Sequence, residues 1–204
     1  MKNRTRAICL LFVFIGLFSV YAGGASASDL MIASFENNGH SDLGTDIGTW
    51  SSNPLDTSQG CTIELLSLYG VMGKGSEESR VMKVTYDVST NGPAFNGFYI
   101  KLNDMDLTPY DSIAFLIKGD PARGFTTKFR IEINNEKGER ATYDLSGITD
   151  DWKMISIPLQ EARNPGSVTD WTCMSEMVFT FDDMTCDNKE GVLYIDNVMV
   201  SSKE

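Results

Sequence analysis

The chain has 204 residues, with 28 acidic and 17 basic side chains and a formal charge of −11. That sign excludes nucleic acid and anionic membrane surfaces as partners, since both need a positive protein face. Apolar residues make up 42% of the chain and recur along its length, which excludes disorder and suffices for one well-buried core.

In chain order, the first element is a targeting segment. Lys2, Arg4 and Arg6 form a positive head, Ala7 to Tyr21 is almost unbroken apolar sequence, and Ala25-Ser26-Ala27 is a small-residue cleavage site. The apolar run is about 15 residues, short of the roughly 20 that a spanning helix needs. Residues 1–27 therefore read as a secretory signal, and residues 28–204 as a single exported domain, periplasmic or extracellular, with no membrane insertion after cleavage. Loss of the signal removes three positive charges and no negative ones, so the remaining domain is more acidic still.

Period-two patterning dominates residues 28–204. Alternation predicts strands over Leu30–Phe35, Thr62–Leu68, Arg80–Val88, Phe95–Leu102, Ser112–Lys118, Thr127–Asn134, Arg140–Asp144, Lys153–Pro158, Glu176–Phe181 and Val192–Val200. Turn-rich pieces such as Asn91-Gly92-Pro93, Gly119-Asp120-Pro121 and Asn135-Glu136-Lys137-Gly138 separate them. A turn of helix fits within 160–175, where Pro165 and Gly166 interrupt it. Many short strands with loops between them predict an all-β fold, an antiparallel β-sandwich.

Two strands carry a carboxylate directly after apolar residues: Glu36 at the end of the first, and Asp196 within the last. Charge there is unwelcome unless paired or bound to a cation. If the terminal strands are neighbours, the two side chains can meet and suit a hard cation such as Ca²⁺. They also fit plain strand-end caps that accept backbone hydrogen bonds. His40, Asp42 and Asp46 lie close in sequence, in a polar loop that explains them equally well.

In Lys128–Asn134, Phe129, Ile131 and Ile133 point one way, and Lys128, Arg130, Glu132 and Asn134 the other. The polar side is either a solvated face with a cross-strand ion pair or a ligand-facing one on which Arg130 and Glu132 bond to hydroxyls. Cys61, Cys173 and Cys186 allow one disulfide in an oxidising compartment or three small buried thiols, and their spacing fits no zinc pattern. There is no G-x-S-x-G, H-E-x-x-H or phosphate-binding loop, and the lone His40 has no nucleophile motif beside it. The chain is expected not to be an enzyme.

Five segments occur in an order that is similar to the galactose-binding-like jelly rolls. They are Phe35-Glu36, Gly48-Thr49-Trp50, Leu107 through Asp120, Gly147 through Leu159 and Tyr194-Ile195-Asp196-Asn197-Val198. The pattern resembles both the carbohydrate-binding modules of that fold and the complex I intermediate-associated protein family, and it spans nearly all of residues 28–204. The resemblance implies a jelly roll whose first and last strands adjoin, with Glu36 and Asp196 in the places that hold a structural Ca²⁺. It further implies a polysaccharide or oligosaccharide laid across a concave sheet, with Arg130 and Glu132 on a central strand and Tyr99 and Trp171 as sugar platforms. Gly97 would leave room beside Tyr99, Trp152 reads as packing, and Trp50 fits either role. The intermediate-associated family implies the alternative of a protein partner on the same fold.

Overall fold

The computed structural model describes residues 28–162 and 164–202; the signal segment lies outside the described residues. Eleven strands and one short 3₁₀ turn make up its regular structure. They are β1 (Leu30–Ala33), β2 (Ile47–Ser51), β3 (Gly60–Tyr69), β4 (Glu78–Asp87), β5 (Phe95–Met105), β6 (Tyr110–Gly119), β7 (Lys128–Asn135), β8 (Arg140–Ser146), β9 (Lys153–Pro158), β10 (Met174–Asp182) and β11 (Glu190–Ser202), with the 3₁₀ turn at Leu159–Glu161. All ten predicted strands are present. The eleventh, β2, has no counterpart among them.

The strands form two antiparallel sheets. One has the order β3-β4-β11-β6-β9, with β1 also paired to β11, and the other has the order β2-β5-β10-β7-β8. The two antiparallel sheets are the sandwich that alternation predicts, and the separation of sequential neighbours within them is the jelly-roll topology that the resemblance implies. β1 and β11 are hydrogen-bonded neighbours through Leu30↔Val200 and Met31↔Met199. β1 stops sooner than alternation predicts because the chain turns at Phe35, whose φ of 61° is left-handed.

The core fills the space between the sheets with the inward residues of every strand. Phe179 at the centre of β10 stacks on Phe98 at 4.3 Å and meets Phe115 edge-on at 5.5 Å, while Tyr86 stacks on Phe181 at 4.4 Å. All these rings are buried, and such pairs add about 0.5–1.5 kcal/mol each beyond area burial. A smaller apolar cluster of Val71, Val81 and Leu116 lies outside the main core, packed against by Trp152 and Tyr194. Trp152 is thus a packing residue, with the Lys118 ammonium 5.9 Å from its ring centre.

Cys61, Cys173 and Cys186 are all free thiols. Cys61 and Cys186 belong to the apolar core, and burial pushes the Cys61 thiol up to about 12, so it is inert. Of the two readings left open by the sequence, the structure takes the free thiols, with Cys61 and Cys186 buried and Cys173 only partly so.

Tyr143 is buried, and its hydroxyl donates a 2.7 Å hydrogen bond to the carbonyl of Leu159. This bond ties β8 to the 3₁₀ turn that follows β9. Tyr143→Phe leaves that carbonyl without its partner and is expected to cost about 1–2 kcal/mol. Urea unfolding should show a lower midpoint at unchanged slope.

Candidate functional site

The outer face of the β2-β5-β10-β7-β8 sheet carries an open groove of about 850 Å³. Antiparallel register sets its side chains in rows across the strands. One row runs Lys101, Glu176, Asn134, Arg140, the next Gly48, Tyr99, Val178, Glu132, Thr142, and the next Trp50, Gly97, Thr180, Arg130, Asp144. Phe95 and Asp182 begin a fourth row. Because strand side chains alternate, the residues between these on β5, β7 and β10 all point into the core.

The groove is amphipathic across its width. On the β2 and β5 side lie the rings of Trp50, Tyr99 and Phe95, with Trp50 and Phe95 tilted against each other at 6.3 Å. Two glycines allow two of these rings to lie against the sheet. A Cβ on Gly48 would sit 2.7 Å from Cζ of Tyr99, and one on Gly97 would sit 3.2 Å from Nε1 of Trp50. The neighbour of Tyr99 is therefore Gly48 on the adjacent strand, and Gly97 makes room for Trp50.

On the β7 and β8 side the wall is ionic. Arg130 reaches Asp144 at 3.4 Å through Nε and Asp182 at 3.6 Å through Nη1, and its Nη2 donates to the Thr185 hydroxyl at 3.4 Å. Arg140 lies 3.2 Å from Glu132, whose exposure is only 8%. The polar row on β7 is thus partly enclosed, because Arg140 folds diagonally over Glu132. At the other edge Lys101 pairs with Glu176 at 2.6 Å and sits 5.0 Å from the centre of the Tyr99 ring. Burial pushes the Glu176 carboxyl upward, but hydrogen bonds from Lys101 and Asn134 outweigh it and hold the group below its ordinary value.

The floor is Val178 and Thr180, both buried. Four buried polar atoms of the lining accept or donate no hydrogen bond among the described residues: Trp50 Nε1, Asn134 Oδ1, Thr180 Oγ1 and Asp182 Oδ2, the last having only its ion pair with Arg130. Buried polar groups of this kind are costly unless compensated. One end of the groove is closed by the loop after β10. Asp182 Oδ1 accepts from the backbone N–H groups of Met184 and Thr185 at 3.0 and 2.7 Å, and Lys189 donates to the carbonyls of Asp183 and Cys186.

Among the sequence-predicted ligand residues, the structure brings Tyr99, Arg130 and Glu132 together in this groove. β7 lies next to the central strand, which is β10. Trp171 lies elsewhere: it lines a shallow cleft with Leu107, Tyr110 and Leu159, its ring packs on the core, and its carbonyl accepts from Leu107 N–H at 2.8 Å. Trp50, Phe95, Asn134, Arg140, Glu176, Thr180 and Asp182 also line the groove, and sequence reasoning does not single them out as ligand residues. The available signal is Gly48-Thr49-Trp50, whose Trp can be read either way.

The opposite sheet holds the other predicted pair. Ser79 donates to Glu36 Oε1 at 3.1 Å and also lies 3.3 Å from Asp196 Oδ2, so both carboxylates gather on one hydroxyl. Glu36 also accepts from Arg80 N–H at 3.2 Å, and Asp196 from Asn197 N–H at 2.8 Å. Asp196 is fully buried, and burial pushes its carboxyl up to about 6. The described residues contain no group of three or more His, Cys, Asp or Glu side chains placed for a metal.

A jelly roll with a ring-lined groove on one sheet has the architecture of the carbohydrate-binding modules, and solved structures agree on the fold. The family 11 module of the cellulosomal cellulase Lic26A-Cel5E of Clostridium thermocellum is 20% identical, with a TM-score of 0.62, covering 87% of this chain and 97% of its own. A family 11 module from Clostridium thermocellum in complex with a β-1,3-1,4-mixed-linked tetrasaccharide aligns with a TM-score of 0.62 and 20% identity, over 87% and 98% of the two chains. The family 30 module of the cellulase Cel9D-Cel44B from the same organism is 17% identical with a TM-score of 0.58, over 87% and 99%. Comparison with curated proteins finds no match. Carbohydrate binding domain 30 matches residues 36–202, and the chain belongs to that family, a family of non-catalytic carbohydrate-binding domains.

Proposed function

We propose that this chain is an exported, non-catalytic module that holds a neutral polysaccharide in the groove of the β2-β5-β10-β7-β8 sheet, with β-1,3-1,4-mixed-linked glucan as the first candidate. The observation that carries the reading is the pairing of an aromatic shelf with polar side chains on one open face. Rings of Trp50 and Tyr99 offer apolar faces to the C–H surface of a pyranose, and Arg130, Glu132, Asn134, Thr180 and Asp182 offer polar atoms to its hydroxyls. The linkage is suggested by the β-1,3-1,4-mixed-linked tetrasaccharide of the family 11 structure.

Charge argues for a neutral ligand. Arg130 and Arg140 are already matched by Asp144, Asp182 and Glu132, and Asp183 adds a further carboxylate to the lining. A uronate polymer would meet like charge, with both lining arginines already paired. The alternative use of this fold, as an exported protein-interaction or assembly factor, would suit a sheet face filled by loops or lined by apolar side chains. An open groove with flat rings beside paired charges supports it less.

Binding is tested by affinity electrophoresis in gels containing mixed-linked β-glucan, another neutral glucan or polygalacturonate. Retardation is expected in neutral gels only, and Arg130→Ala should abolish it. A protein that migrates unretarded in every gel would sink the sugar reading.

The reading includes a structural Ca²⁺ at the seam of the first and last strands. Glu36 and Asp196 supply hard oxygen donors, and Asp196 is a buried carboxylate for which no ion pair occurs among the described residues. Those features fit such a cation, which would draw its remaining ligands from backbone carbonyls. Its part is to hold the sandwich closed.

A further inference from the structure

We infer that Gly48 is a positioning residue for ligand binding, because the absence of its side chain lets the Tyr99 ring lie across β2 as a platform. The inference rests on the sugar reading of the groove. Tyr99 on β5 is the cross-strand partner of Gly48, and Gly97 on β5 is the partner of Trp50 on β2. Each ring reaches over to the glycine of the opposite strand. Any Cβ at position 48 would collide with the Tyr99 hydroxyl and lie 2.7 Å from Cζ and 3.0 Å from Cε1, well inside ordinary contact. The ring would have to lift from the sheet. It is also held from the Lys101 side, where the ammonium stands 5.0 Å from the ring centre while bonded to Glu176.

The two glycines do different work. A Cβ on Gly97 would strike the backbone carbonyl of Phe179, so that glycine is required by the sheet itself. The three heavy atoms nearest the Cβ of Gly48 all belong to the Tyr99 side chain, and β2 is an edge strand. A methyl at position 48 is therefore opposed first by a side chain that can move, not by backbone. A competing explanation is stability alone, since an aromatic ring laid over an edge glycine shields its backbone. A stability role would show in unfolding and leave affinity unchanged, whereas a positioning role shows in affinity and acts through Tyr99.

A double-mutant cycle separates these outcomes. Affinity for a mixed-linked β-glucan oligosaccharide and the urea midpoint are measured for the native chain, Gly48→Ala, Tyr99→Ala and the double variant. Gly48→Ala is expected to weaken binding about tenfold with the midpoint nearly unchanged, and the double variant to bind like Tyr99→Ala. Binding by Gly48→Ala within twofold of the native chain, or losses that multiply in the double variant, would overturn the inference. If the native chain binds no glycan, the sugar reading fails separately, and proton NMR still decides the geometry. Nuclear Overhauser contacts are expected between the Gly48 Hα protons and the Tyr99 ring protons; their absence would refute the placement.

Discussion

Trp50→Ala is expected to lower the affinity for soluble mixed-linked β-glucan about a hundredfold, with little effect on folding. Covering the face of an indole with a pyranose removes on the order of 50–100 Å² of apolar surface from water, or about 1–3 kcal/mol. The specific geometry of a ring contact adds about 0.5–1.5 kcal/mol. Trp50 Nε1 is buried against Gly97 rather than turned to the groove, so the loss comes from the ring face. A hundredfold loss corresponds to about 2.7 kcal/mol, within the sum of these effects. The cost to stability is small because Trp50 is half-buried on the edge strand β2 and, among its ring neighbours, tilts against Phe95 alone. Trp50→Phe keeps a smaller platform and should fall between the two. Isothermal titration calorimetry reads both variants, and an affinity for Trp50→Ala within threefold of the native chain would remove Trp50 from the binding surface.

The part of this site legible in the sequence is the part set by alternation. Lys128–Asn134 states which way Arg130 and Glu132 face, because a strand with Phe129, Ile131 and Ile133 on one side has only one way to bury them. Tyr99 follows from the same rule on β5. Both inferences need only the strand itself. What stays hidden depends on neighbours. β2 is five residues, Ile47-Gly48-Thr49-Trp50-Ser51, with no apolar alternation, so nothing local marks it as a strand. It exists because β5 offers it a ladder of partners from Ile100 to Asn96. The sequence matches Tyr99 with Gly97 on its own strand, whereas the ring reaches across to Gly48; sequence distance does not show cross-strand contact. The burial of Glu132 likewise comes from Arg140 on β8. Trp171 illustrates the reverse error: a loop aromatic looks available in the sequence, but its loop folds back against Leu107 and delivers the ring to the core.

The seam between the first and last strands is legible because two carboxylates in apolar strands need an explanation, and it supports the second large prediction. Without metal, the protein should lose stability as pH rises from about 4 to 6 and beyond, by about 2–3 kcal/mol in total. Burial of Asp196 is the main cause of its raised value, from an ordinary 3.8 to about 6, with the nearby Glu36 carboxylate adding to it. A carboxyl whose value is raised in the folded state favours folding while protonated. That contribution is complete below the unfolded value and is lost as pH passes through the folded one. Bound Ca²⁺ would reverse the trend, because the cation needs the ionised carboxylate and compensates its charge. Urea midpoints measured from pH 4.5 to 7.5 with EGTA, and again with millimolar Ca²⁺, should therefore diverge as pH rises, the calcium curve lying higher at pH 7 and the two meeting near pH 4.5. Asp196→Asn in EGTA should abolish the decline while keeping much of the shape of the side chain. Curves that coincide at every pH would remove the calcium ion from the seam, and a flat EGTA curve would show that Asp196 does not titrate in this range.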